Sequence, residues 1–127
     1  MGLLSWLGLQ GDCEEEPIAL DDQHFDEELV RSETPVLVDV WSNGCQPCAM
    51  LAPTIRRLAC KYHGRLKVAH LNANKAPRTV ARLGIRGTPT LLFFDRGREV
   101  ERVVGVRGQH YFEEIIETEL LQQSEPN

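Results

Sequence analysis

An apolar run that holds a single charged residue, Val36–Trp41, constrains this chain more than any other feature. The run is rich in β-branched residues, and its one carboxylate is Asp39. Such a run predicts a strand covered on both faces, as the central strands of parallel sheets are. A turn at 42–44 follows, and then a long helical pattern from Cys45 to about Tyr62. The chain is therefore expected to pack helices against a sheet, as α/β folds do.

Four more strands are predicted from short apolar segments, at 18–20, 66–71, 90–94 and 99–104. Residues 95–98 join the last two as a hairpin turn. Because the first three strands alternate with helical patterns and the last two form a hairpin, the sheet is expected to be mixed.

The helices are predicted from apolar residues at helical spacing. Asp22 is expected to cap the first helix, whose buried face would carry Phe25, Leu29 and Val30. The long helix contains Pro53, which predicts a kink. A short helix at 76–83 follows, and the last helix would bury Phe112, Ile115, Ile116 and Leu120. The fold class is therefore α/β, a central mixed five-stranded sheet flanked by four helices.

The chain is expected to form one domain, at 17–123, because no second pattern of this kind and no internal repeat is found. Residues 1–16 are predicted to be a flexible extension, and 124–127 a frayed end. A short docking segment that uses Leu3, Leu4, Trp6 and Leu7 is the alternative for the start of the chain.

Charge and hydropathy exclude several classes of partner. Fourteen basic and nineteen acidic side chains leave a net charge of −5 with no basic stripe, so nucleic acid is not expected as a partner. No apolar run approaches the roughly 18 residues that span a bilayer. The start lacks a positively charged leader, so a cytoplasmic location is expected.

The chemistry of the chain is expected at Cys45 and Cys48, which lie where the central strand leads into the long helix. Backbone N–H groups and the helix dipole converge on a helix N-terminus and stabilise a thiolate there, lowering its pKa. Cys45 would then be the nucleophile in thiol–disulfide exchange. Cys48, one turn later and deeper, would resolve the mixed disulfide.

Two alternatives for the pair are a structural zinc site and incidental buried thiols. A zinc site would need two more ligands, but the chain has no second C-x-x-C, and His63 and His70 are seven residues apart. No metal is therefore expected. Cys13 and Cys60 stand alone in the sequence and are predicted to be bystander thiols, with a regulatory or intermolecular disulfide as the alternative.

Asp39 is a second candidate catalytic residue. A carboxylate in a buried strand should have a raised pKa, become protonated or find a partner. Near the dithiol it could accept the proton of Cys48 as that sulfur attacks. The alternative is a buried aspartate that backbone N–H groups satisfy and that has no catalytic role.

Five segments together resemble the thioredoxin family over roughly 18–120. They are Val38-Asp39-Val40-Trp41, Cys45-Gln46-Pro47-Cys48, Ala52-Pro53, Gly84-Ile85-Arg86-Gly87-Thr88-Pro89-Thr90 and Gly105. The resemblance implies a thioredoxin fold in which Pro89 is a cis-proline packed against the active-site sulfurs. It also implies that Thr88 and Pro89 present backbone groups to an extended substrate segment. Trp41 would lie beneath the active turn, with an ordinary core aromatic as the alternative, and Asp39 would be the family's buried acid.

The chain departs from the family pattern at three positions. Gly44 replaces the Trp before the first cysteine, which is expected to remove an aromatic rim from the substrate site. Gln46 replaces Gly between the cysteines, while Pro47 is kept, as in family members that act as reductants. His70 stands where the family commonly has Lys; it could pair with Asp39 while protonated, or be an ordinary satisfied histidine.

The function implied is a protein-disulfide reductase without a bound cofactor. Its expected partners are disulfide-containing proteins and an electron donor of the thioredoxin-reductase type, and the chain is expected to be a monomer. Gly44, Gln46, Pro47, Thr88, Pro89 and Gly105 would line the substrate site, with Trp41, Pro53 and His70 in support. The alternatives are a disulfide oxidase or isomerase, and a binding or assembly module that uses the same groove.

Overall fold

The computed structural model describes residues 13–121. Its strands are Ile18–Leu20 (β1), Val36–Trp41 (β2), Lys67–Asn72 (β3), Thr90–Asp95 (β4) and Arg98–Val104 (β5). Its helices are Phe25–Arg31 (α1), Gln46–Lys61 (α2), Pro77–Leu83 (α3) and Gln109–Ile115 (α4). A 3-10 turn, Ala73–Lys75, precedes α3, and a π-helical stretch, Ile116–Leu121, continues α4. The predicted five strands and four helices are confirmed.

The sheet has the order β1-β3-β2-β4-β5. β3 runs parallel to β1 and β2, whereas β4 is antiparallel to both β2 and β5. The sheet is therefore mixed, as predicted, and β2 lies at its centre. Because β2 is the central strand, its C-terminal end and the turn that follows lie at the middle of one edge of the sheet, where the strands end.

Alternating side chains of the central strands supply two apolar layers. On one face Leu37 and Phe93 pack with residues of α2 and α4, including Leu58 and Phe112. On the other face Val36, Val38, Val40, Leu92 and Phe94 pack with Phe25 and Leu29 of α1. Because both faces of β2 are covered, its continuous apolar run is explained.

Two details of α1 differ from the prediction. Asp22 does not cap this helix; its carboxylate accepts the backbone N–H of Arg78 at 3.1 Å and of Thr79 at 2.8 Å, at the start of α3. His24 occupies the N-cap position of α1 without a side-chain capping bond. Val30 was predicted to be buried, but its side chain is 73% exposed, because the buried face of this short helix is formed by Phe25 and Leu29.

The start of the described chain lies against α2. Cys13 and Cys60 form a disulfide with a Cα–Cα distance of 6.0 Å, so the prediction that they are bystander thiols is wrong. Residues 1–12 of the tail predicted at 1–16, which include its docking segment, and the predicted frayed end at 124–127 lie outside the described residues. Among residues 13–121 no helix is long and apolar enough to cross a membrane.

Candidate active site

The two predicted active-site cysteines meet at the N-terminus of α2. Cys45 is the N-cap residue, and its sulfur accepts the backbone N–H of Cys48 at 3.2 Å. The pair is joined as a disulfide with a Cα–Cα distance of 5.3 Å. Cys45 is half-buried, whereas Cys48 is 6% exposed. The outer sulfur can therefore meet another protein, and the inner one lies behind it.

The loop before β4 faces this pair. The Thr88–Pro89 peptide bond is cis, as the resemblance implies, and Pro89 is buried. The Thr88 carbonyl oxygen lies 3.7 Å from the Cys45 sulfur, and the Thr88 hydroxyl lies 2.6 Å from that of Ser42. The Pro89 carbonyl oxygen accepts the backbone N–H of Gly105 at 2.9 Å. These contacts bring Thr88, Pro89 and Gly105 to the same end of the sheet as the cysteines.

The turn between β2 and α2 explains the glycine before Cys45. Gly44 has a φ of +71°, a left-handed conformation that L side chains rarely adopt. A Cβ atom at this position would meet nothing within 4 Å, so the backbone, not crowding, favours glycine here. Gly44 therefore has a structural role in this turn, in addition to the absence of an aromatic side chain from the substrate site.

Two asparagines that the sequence analysis did not single out hold the same turn. The Asn74 side chain accepts the backbone N–H of Asn43 at 2.7 Å, and the Asn72 amide donates to the Asn43 side chain at 3.1 Å. Both residues come from the end of β3 and the 3-10 turn that follows. Because their partner is about 30 residues earlier in the chain, no local pattern could have predicted them.

Asp39 lies in a cavity of about 730 Å³ that both active-site cysteines also line. The side chain is 7% exposed, and within residues 13–121 its Oδ1 atom has no hydrogen-bond partner. Burial raises the pKa of Asp39 to about 7. The prediction of a raised pKa is confirmed, and the alternative of a carboxylate fully satisfied by backbone N–H groups does not hold for Oδ1.

His70 and Trp41 line the same cavity and contact each other. The Trp41 indole N–H donates to Nδ1 of His70 at 2.9 Å. Because a protonated imidazole has no acceptor nitrogen, this bond requires the neutral ring. Burial also lowers the pKa of His70, and this effect outweighs the negative charge of Glu16, which acts to raise that pKa. His70 is thus satisfied by Trp41, in line with the second of its two predicted roles.

The remaining predicted residues surround the pair. Gln46 and Pro47 form the first turn of α2 and are exposed, so their side chains border the opening above Cys45. Pro53 lies inside α2, which continues through it to Lys61. Glu16 and Pro17, which the sequence analysis assigned no role, line the cavity from the N-terminal side. Among the described residues no group of three or more His, Cys, Asp or Glu side chains could hold a metal ion.

Comparisons with known proteins agree with this geometry. A family model described as Thioredoxin matches residues 16–118. Thioredoxin M-type, chloroplastic, from Pisum sativum is 42% identical over 98 residues, which are 77% of this chain and 57% of the pea protein. The chain thus spans little more than half of that relative. Thioredoxin from Synechocystis sp. is 43% identical over 68% of this chain and 80% of its own length. Thioredoxin from Thiocapsa roseopersicina is 46% identical over 84 residues, which are 66% of this chain and 91% of the Thiocapsa protein.

A cysteine pair at a strand-to-helix junction, opposite a cis-proline on a mixed sheet of this order, defines a thiol–disulfide oxidoreductase. The chain belongs to the thioredoxin family, since the family model covers most of its length.

Proposed function

We propose that this protein reduces disulfides in other proteins, with Cys45 as the nucleophile and Cys48 as the resolving thiol. The observation that supports this most directly is the N–H of Cys48 donating to the Cys45 sulfur at 3.2 Å, at the start of a 16-residue helix. A hydrogen bond to the charged form and the positive end of the helix dipole both favour a thiolate at Cys45.

The first step forms a mixed disulfide. The Cys45 thiolate attacks one sulfur of the substrate disulfide, a Cys45–substrate bond forms, and the other substrate sulfur leaves as a thiolate that takes up a proton. The half-buried position of Cys45 suits this step, because an attacking sulfur needs an open path to its target.

The second step releases the reduced substrate. Cys48 loses its proton and attacks Cys45, so the Cys45–Cys48 bond forms and the second substrate sulfur leaves. Two electrons have then passed to the substrate. The proton acceptor that we propose for Cys48 is Asp39, because both line one cavity and a base is most effective when its pKa lies near the working pH.

The substrate segment is proposed to lie across the cis-proline loop. Thr88 and Pro89 would offer backbone groups to an extended peptide, with Gly44 and Gly105 beside it and the exposed Gln46 and Pro47 at the rim. Trp41, Pro53 and His70 would act as positioning residues beneath this surface. The open space at Gly44 leaves room for a bulkier substrate side chain next to Cys45.

The physiological setting belongs to the same proposal. The electron donor would be a reductase of the thioredoxin-reductase type, which returns the Cys45–Cys48 disulfide to the dithiol and links the protein to cellular electron transport. The protein would act in the cytoplasm as a monomer without a bound cofactor, through one domain at 17–123. No nucleic acid is needed for this chemistry.

The decisive experiment is reduction of insulin disulfides by the full chain, with dithiothreitol as the electron source. Cys45→Ser should abolish turnover, because the accessible nucleophile is lost and Cys48, 6% exposed, lies too deep to replace it. The matched control, Cys13→Ser/Cys60→Ser, should still turn over insulin, since Cys45 and Cys48 both remain and neither replaced sulfur lines the cavity. Equal activity in wild type and Cys45→Ser would contradict the proposal.

The reduction potential of the Cys45–Cys48 couple separates a reductase from an oxidase or isomerase. Thioredoxins themselves have a value of about −270 mV, and protein disulfide isomerase about −180 mV. A value near about −270 mV supports the proposal that the protein is a reductase. A value above about −200 mV would favour the oxidase or isomerase instead.

A further inference from the structure

The segment before β1 is called here the N-terminal strap and consists of Cys13, Glu14, Glu15, Glu16 and Pro17. It links β1 to α2 through a disulfide. One end of the strap is held by the disulfide between Cys13 and Cys60. The other end continues into β1, which pairs with β3. Between these two fixed points Glu16 and Pro17 form part of the wall of the cavity that contains Asp39.

We propose that Cys13 and Cys60 are a second thiol–disulfide couple, separate from Cys45 and Cys48, and that its oxidation holds the strap closed over the cavity. The site would react with a low-molecular-weight disulfide such as oxidised glutathione. One disulfide bond forms between Cys13 and Cys60, the glutathione disulfide breaks, and the two protons pass to the two glutathione thiols.

The reactivity of this couple follows from its position. Cys13 is exposed and Cys60 is partly buried on α2, so a small disulfide or thiol can reach the bond from solvent. Neither sulfur lines the active-site cavity, so exchange here need not involve Cys45 or Cys48. The two sites can therefore occupy different oxidation states in one molecule.

The other contacts of the strap with α2 and with the turn after it are weak. Glu14 pairs with Arg56 at 2.9 Å, but their side chains are 37% and 30% exposed. Glu15 pairs with His63 at 2.9 Å, and these side chains are 46% and 74% exposed. Exposed ion pairs of this kind contribute little to stability, because solvent screens the two charges. Arg57 also lies 3.9 Å from the Glu14 carboxylate, and these side chains are 38% and 37% exposed. One backbone hydrogen bond, from Glu15 N–H to the Arg56 carbonyl at 3.1 Å, is a further contact here.

The disulfide is therefore the main restraint on the N-terminal end of the strap. When it opens, Cys13 is free to leave α2, and Glu16 is free to leave the cavity. Water then reaches Asp39 from the N-terminal side. The titratable groups that line the cavity with Asp39 are Glu16, Arg56, His70 and the two active-site cysteines, and opening moves only Glu16 away.

Opening acts on Asp39 through hydration. Burial is what raises the pKa of Asp39, so greater hydration favours the carboxylate and the pKa of Asp39 falls when the strap opens. Opening would thus make Asp39 a weaker base for Cys48. The second couple would adjust the resolving step while leaving the nucleophile in place.

The test uses the full chain with Cys45→Ser/Cys48→Ser, so that the second couple is the only pair of thiols left and the result does not depend on the proposed reductase activity. The protein is equilibrated in mixtures of reduced and oxidised glutathione. Peptide mapping should show a Cys13–Cys60 link whose yield does not change with protein concentration. Free thiols throughout, mixed disulfides with glutathione, or dimers in place of the link would overturn the proposal.

The second readout is amide hydrogen exchange on the oxidised and reduced forms. The Glu15 amide should exchange roughly tenfold faster after reduction, because its partner on α2 is lost when the strap opens. A carboxyl titration by NMR should place the pKa of Asp39 lower in the reduced form. A Cys13→Ser variant in the same background, which changes an exposed residue, should match the reduced form with or without reductant. If the Cys13–Cys60 disulfide forms but neither the exchange rate of the Glu15 amide nor the pKa of Asp39 changes, this disulfide does not control the strap and the proposal is overturned.

Discussion

Replacing Asp39 with Asn should make the protein more stable at high pH and should leave its stability at low pH much less changed. The pKa of Asp39 is about 7 in the folded protein, against 3.8 for the unperturbed side chain. Between these values the folded state binds a proton that the unfolded state has lost, so stability falls as pH rises. The difference is roughly three pH units at about 1.36 kcal/mol each, so the ionised carboxylate costs the fold about 4 kcal/mol.

The sign and the window follow from the direction of the pKa change. Well below pH 3.8 both states are protonated and the cost is absent, whereas well above pH 7 both are ionised and the full cost applies. Asn has nearly the same shape as Asp and no charge, so Asp39→Asn removes this pH-dependent contribution to the free energy of unfolding. The free energy of unfolding of the variant minus that of wild type should therefore grow by about 4 kcal/mol between these limits.

The assay is urea unfolding at about pH 4 and about pH 8.5, with both proteins in the disulfide form and equal m-values as the condition for comparison. Glu114→Gln is the control, because it removes an exposed carboxylate from α4 and reports what the loss of one surface charge does. A difference between variant and wild type that stays constant across this pH range would refute the reasoning.

Three further predictions concern single side chains. Cys48→Ser should stop turnover and accumulate a mixed disulfide between Cys45 and the substrate protein, which a non-reducing gel would show; absence of this adduct would contradict the resolving role. Gly44→Ala should lower the free energy of unfolding by about 1–2 kcal/mol, because a Cβ is strained at positive φ. Gly87→Ala should not, because Gly87 has no positive φ and its Cβ would meet nothing within 4 Å; urea midpoints measure both, and equal effects would refute the account of the turn. Asp22→Ala should cost about 1 kcal/mol in the same assay, since α3 loses its cap, and a neutral result would refute that role.

The parts of the site that lie close together in sequence could be predicted from it. The strand–turn–helix around Cys45 and Cys48 follows from one apolar run and one helical pattern, and it fixes which sulfur is exposed. Asp39 could be recognised because a carboxylate is costly to bury and therefore rare inside an apolar strand. The cis form at Pro89 came from the family resemblance, since an X–Pro bond alone gives cis a low frequency.

The parts that depend on distant residues could not be predicted. Cys13 and Cys60 are 47 residues apart, and no local pattern says which cysteines will meet. Asp22 lies just before α1, where a cap is expected, yet its carboxylate faces α3, 56 residues later. The partner of His70 was missed for the same reason, because β2 and β3 must first pair before Trp41 can reach it.

The two edges of the sheet determine how this chain behaves when it is concentrated. Edge strands offer unpaired N–H and C=O groups, and growth of one molecule's sheet onto another is a common route to aggregation. β1 presents three residues for such growth. β5 carries four charged side chains, and its pairing with β4 shifts register between Phe93 and Phe94, which disturbs the flat row that a second molecule would need. An open five-stranded sheet can therefore remain dispersed without the closure that a barrel provides.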